Sequence, residues 1–162
     1  MKLVAPRLFY GMCGLSAVVV LLDQLSKLWV FRSLLAQQTE IVVLPIFTLV
    51  KRYNTGISFS IFATEHATGP WVFALLATVI AFGLLIWLSQ TADRLPAVGL
   101  ALVVGGAIGN VIDRLREGAV MDFLLFHWRA LAWPAFNLAD SFITIGVALL
   151  IFDGVFGGKR RA

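Results

Sequence analysis

Two aspartates, Asp122 within Val120-Met121-Asp122-Phe123 and Asp140 within Phe136-Asn137-Leu138-Ala139-Asp140-Ser141, stand among apolar residues in a chain that is 60% hydrophobic. A carboxylate near hydrocarbon costs roughly 2.5–3.5 kcal/mol on insertion scales, so each acid must be neutralised, paired or turned toward a water-filled cavity. Two carboxyl groups held close together cannot both ionise readily: one keeps its proton while the other can accept one from water. Such a pair could attack a carbonyl. The ionised member deprotonates the water, and the protonated member hydrogen-bonds to the developing oxyanion. Residue types and spacing leave a second reading about equally open, in which two unrelated acids each cap backbone at a helix start.

Other chemistries find no support. Ser26, Ser58, Ser60 and Ser141 have no accompanying histidine that would make a nucleophile and base, and Ser26 and Lys27, as helix neighbours, point apart. His127 falls in an aromatic stretch and His66 in a loop, each isolated, and the lone Cys13 has no partner, so neither a metal site nor a cofactor is expected. The run Gly105-Gly106-Ala107-Ile108-Gly109-Asn110 lacks the lysine and the strand-turn-helix setting of a phosphate loop. Gly105 and Gly109 instead have the spacing that lets two helices approach closely.

The elements that must position these acids are those of a membrane protein. Only 14% of the 162 residues are charged, against about 25% in soluble domains, and the mean hydropathy is +0.91. The net charge of +4 does not point to nucleic acid, because it gathers at the chain ends: Lys2 and Arg7 precede the first apolar run and Lys159-Arg160-Arg161 follow the last. The positive-inside rule then places both termini in the cytoplasm. We expect one membrane domain over 1–162, α-helical, with spans at about 8–31, 70–88, 96–112 and 137–156. Between the first two, residues 33–69 turn to β-branched and aromatic runs, Ile41-Val42-Val43, Ile46 to Val50 and Ile57 to Phe62, broken by Pro45 and Asn54-Thr55-Gly56. These predict a small extracytoplasmic β-rich subdomain, with Asn54 and Gly56 in a turn at positive φ. Residues 113–136 are expected as an extracytoplasmic loop, with Phe123, Phe126, Trp128 and Trp133 as interfacial anchors.

Asp23 and Lys27 lie four residues apart on the first span, on one helical face, and are expected to pair. Asn110, Asp113, Arg114, Arg116 and Glu117 gather at the end of the third span, on the same non-cytoplasmic side, where Asn137 also falls. For Arg114 a salt bridge with Asp113 or Asp23 is expected, with contact to a phospholipid or a substrate carbonyl as the alternative.

Taken in order, Asp23-Gln24-Leu25-Ser26-Lys27, Asn54-Thr55-Gly56, Gly105 to Arg114, Val120 to Phe123 and Phe136 to Ser141 closely resemble the bacterial lipoprotein signal peptidases, the signal peptidase II family. The likeness covers nearly the whole chain. It implies an inner-membrane aspartyl protease that removes the signal peptide of a prolipoprotein just before its diacylglyceryl-modified cysteine, with the active site toward the periplasm. Asp122 and Asp140 match the family's catalytic aspartates. Asp23, Lys27, Asn54, Gly56, Asn110, Asp113, Arg114 and Asn137 match its supporting set around the dyad and substrate. The implied partners are the lipidated precursor and membrane lipids, with the enzyme acting as a monomer. Two rivals from other classes remain: a proton-coupled carrier, which should show two related halves that this sequence lacks, and a noncatalytic lipid-binding or assembly subunit, which leaves two buried acids unexplained.

Overall fold

The structure, a computed structural model, describes residues 3–56, 69–129 and 131–157. Lys2, the Ile57 to Phe62 run, His66 and Lys159-Arg160-Arg161 lie outside these residues. Four helices are long and apolar enough to cross a membrane. Helix α1 spans Pro6–Trp29, with its proline in the first turn, where a missing N–H does little harm. It runs into a π-helical turn, Val30–Leu34, closed by the Leu35 N–H donating to the Val30 carbonyl. Helix α2 spans Gly69–Ser89, α3 Arg94–Glu117 and α4 Leu138–Phe156.

Helix α3 is the centre of the bundle. Of its most apolar stretch 61% is buried, against 17%, 22% and 11% for the first, second and fourth spans, and α3 packs on each of the other three helices. Small residues make that possible. A Cβ on Gly105 would meet the Val19 Cβ at 2.7 Å, and one on Gly106 the Ala139 carbonyl oxygen at 2.5 Å. Gly105 therefore admits α1, as does Gly109, where a Cβ would fall 2.6 Å from Asp23 Oδ2; this is the close approach expected of that pair, and Gly106 adds one to α4. The Ser16 hydroxyl donates to the Ala101 carbonyl at 2.8 Å and ties α1 to α3.

Strands β1 (Glu40–Leu44) and β2 (Phe47–Asn54) form a hairpin after α1. The stretch expected as a loop, 113–136, is ordered differently. Helix α3 continues to Glu117, with Asn110, Asp113 and Arg114 buried and Arg116 and Glu117 exposed in its last turns, and it ends at Gly118, whose φ of 69° suits glycine. Strands β3 (Val120–Trp128) and β4 (Leu131–Ala132) then complete an antiparallel sheet ordered β1-β2-β3-β4. β2 meets β3 in register Asn54↔Val120 and Arg52↔Asp122, across the two helices that separate them in sequence. Beneath the sheet, Met121 and Phe123 pack with Val30, Phe31 and Leu35 in one buried cluster. Side chains alternate along a strand, so Asp122 between them points the other way, toward the bundle.

Candidate active site

Asp122 is 3% exposed, and both its oxygens accept from side-chain amides: Oδ2 from Asn54 Nδ2 at 3.2 Å and Oδ1 from Asn137 Nδ2 at 2.8 Å. Burial, and after it the charge of Asp140, pushes the Asp122 carboxyl up to about 7, against the pull of those two amides. Asp140 sits in the first turn of α4. Its Oδ2 accepts the Asn137 N–H at 3.3 Å while Asn137 Oδ1 accepts the Asp140 N–H at 3.0 Å, a reciprocal capping box. The remaining oxygen, Oδ1, accepts from Asn110 Nδ2 at 2.9 Å. Asn110 Oδ1 in turn accepts from Asn137 Nδ2 at 3.1 Å. One residue, Asn137, thus touches both carboxylates.

The capping reading raised for these acids holds for one oxygen of Asp140. It does not describe Asp122, which lies in mid-strand on side-chain donors. The β3 strand is itself fastened to the entry of α4, since Leu124 and Phe136 exchange N–H donors at 2.8 and 3.0 Å. Asp122 and Asp140 are therefore carried by directly bonded segments.

Behind the pair lies a buried polar layer. Lys27 and Asp23 are fully buried and form the expected ion pair at 2.7 Å, but Asp113 joins it, 2.6 Å from the same ammonium. Arg114 departs from expectation. It forms no ion pair with Asp113 or Asp23 and instead donates to the Gly56 carbonyl at 2.8 Å and the Asn110 carbonyl at 3.4 Å. Lys27 already occupies both acids, which leaves the guanidinium to hold the segment after β2. Nor do Asn54 and Gly56 take positive φ: among the described residues only Gly118 and Arg129 do. The Asn54 side chain accepts the Gly56 N–H at 3.0 Å, so the turn is made by an asparagine side chain standing in for backbone.

Two cavities flank the acids. One of about 670 Å³ runs along α4 and is lined by Trp133, Phe136, Asp140, Ile143 and Ile145 among others, mostly apolar. A smaller one of about 220 Å³ is lined by Arg52, Tyr53, Asn54, Asp122, Pro134 and Ala135. Among the described residues no group of His, Cys, Asp or Glu is arranged to hold a metal ion.

The sequence model of the signal peptidase (SPase) II family matches residues 15–156. The chain belongs to that family. It is 43% identical to the lipoprotein signal peptidase of Aeromonas hydrophila over 91% of this chain and 89% of that protein. It is also 43% identical to the lipoprotein signal peptidase of Pseudomonas aeruginosa PAO1, over 90% and 88%. The fold matches two solved bacterial membrane enzyme structures, each 25% identical. One, at 2.3 Å resolution, superposes with TM-score 0.80 over 94% of this chain and 92% of its own; the other, at 1.9 Å, with 0.74 over 96% and 98%.

This signal peptidase is accordingly a protease and a multi-pass protein of the bacterial inner membrane. All ten residues named from sequence fall in the layer just described: Asp122, Asp140 and Asn137 at the top, Asn110, Asn54, Gly56 and Arg114 around them, Asp23, Lys27 and Asp113 behind. Gln24 escaped sequence reasoning. Its Nε2 lies within 3.2 Å of Asp23 Oδ2 and the Gly109 carbonyl and 2.9 Å of Asp113 Oδ1. The available signal was an amide beside Asp23 and three residues from Lys27, after the apolar run Ala17 to Leu22.

Proposed function

We propose that this signal peptidase is an aspartic endopeptidase that cuts diacylglyceryl-modified prolipoproteins immediately before the lipidated cysteine, using water activated between Asp122 and Asp140. The observation that carries the reading is the bridge through Asn137, which binds both carboxylates and so holds them to one reaction centre. The ionised aspartate takes a proton from water as its oxygen adds to the scissile carbonyl, and the protonated aspartate hydrogen-bonds to the oxyanion. Collapse breaks the carbon–nitrogen bond, the cysteine's amine leaves with a proton from the pair, and the pair ends with a single proton, as it began.

The apolar cavity along α4 supports a lipid-bearing substrate, since Asp140 shares its lining with Trp133, Phe136, Ile143 and Ile145, which offer hydrocarbon a place to lie. Acyl anchoring then supplies binding energy remote from the bond that breaks. Cytoplasmic termini, with the acids toward the periplasm, agree with the basic residues at both ends of the sequence.

The test is cleavage of a purified diacylglyceryl precursor in lipid. Asp122→Asn and Asp140→Asn should each lower kcat by at least about a hundredfold, the scale of lost acid–base catalysis. Folded variants that still release the N-terminal cysteine product at the parent rate would remove the pair from the mechanism.

A further inference from the structure

The two aspartates share a feature one residue upstream. The Met121 N–H, just before Asp122, donates to Asp113 Oδ2 at 3.1 Å; the Ala139 N–H, just before Asp140, donates to Asp23 Oδ1 at 2.9 Å. The acids that receive these bonds are the ones held by Lys27, at 2.6 Å and 2.7 Å. The ammonium also reaches Asn110 Oδ1 at 3.3 Å, on the side chain that donates to Asp140. An ammonium has three donors, and here one goes to the acid gripping β3, one to the acid gripping α4 and one to the amide beside the dyad.

We propose that Lys27 is a positioning residue that sets the separation of the two catalytic carboxylates. Resting on the dyad reading above, the inference adds how the dyad's spacing is fixed. Each half of the linkage runs from ammonium to carboxylate to backbone N–H and ends one residue from a reacting acid. Charge-assisted bonds are short and stiff, so moving either aspartate stretches a link to the same nitrogen. Stability alone is a weak reason to keep such an arrangement, because a buried ion cluster is often matched or bettered by apolar packing. Gln24 also donates to both acids, to Asp23 Oδ2 and Asp113 Oδ1, and so ties them to each other beside the ammonium.

Lys27→Met alone leaves two buried carboxylates without their cation and can fail to fold. The decisive variant is Lys27→Met/Asp113→Asn, which removes one charge of each sign and leaves an amide oxygen at position 113 to accept the Met121 N–H. With the full-length enzyme in lipid, the folded double variant should lose about tenfold or more in kcat while KM stays within about twofold. Its kcat profile should also shift its upper limb by about half a pH unit or more, because the proton shared by two acids responds to their distance and to the loss of the Lys27 charge. An unchanged kcat, a loss lying wholly in KM, or a kcat loss with the upper limb unmoved overturns the positioning role. Asp122→Asn and Asp140→Asn are run alongside: their retained activity would remove the dyad reading itself, whereas their inactivity beside a double variant of parental kcat and pH profile removes the linkage alone.

Discussion

Asp122 is reluctant to ionise because water is excluded and a second acid is near. With its carboxyl raised to about 7, the folded protein binds more protons than the unfolded chain between the ordinary carboxylate value, about 3.9, and that point. Stability contributed by Asp122 is therefore present at low pH and lost as pH rises through this window. We expect the thermal midpoint in detergent to fall across it, and Asp122→Asn to flatten the slope; equal slopes in the two proteins would contradict the assignment. Activity should decline above about pH 7, as the last shared proton leaves. At this scale the sequence was legible where charge met hydrocarbon, as at Asp122, Asp140 and the Asp23 and Lys27 pair. Of the asparagines, Asn54 read locally as a turn residue, whereas Asn110 and Asn137 were placed on the right side of the bundle by their positions at the helix ends, without their partners. Gln24 lay inside the Asp23 to Lys27 motif and was passed over as an uncharged neighbour.

Helix α3 shows how little room the elements leave. On Gly106 a Cβ would fall 2.5 Å from the backbone oxygen of Ala139, the residue before Asp140, whereas on Gly83 of α2 it would meet nothing within 4 Å. Gly106→Ala should destabilise by about 1–3 kcal/mol through overpacking and lower kcat as α4 is pushed away, while Gly83→Ala should leave both unchanged. Thermal unfolding and precursor cleavage, measured on the two variants, check the contrast. Hydropathy made the four helices readable to within a few residues. Strand β3 was missed because its pairing with β2 is nonlocal, and because Val120 to Phe123 are buried on both faces and show no polar alternation.

Seen whole, the molecule is wrapped in exposed hydrocarbon, and this continues past the helices onto the sheet. Val42 is 68% exposed, Trp128 64%, Leu131 78% and Trp133 59%. Large apolar side chains on the sheet and its turns are expected to seat that subdomain on the membrane surface, with the tryptophans at headgroup depth. A single-tryptophan variant retaining Trp133 should be quenched by lipids brominated along the acyl chain; red-shifted, unquenched emission would lift the sheet off the bilayer. Composition made the membrane class plain, but not how the sheet joins the bundle, which depends on contacts between segments far apart in the chain. Those contacts also impose an order in time. Asp23 and Lys27 enter with α1, Asn54 with β2, Asn110 and Asp113 with α3, and Asp140 only with α4, after Asp122 has already been laid down. On the proposed mechanism a partly inserted chain owns some of the machinery and none of the chemistry, so the protease would become active only once membrane insertion is complete.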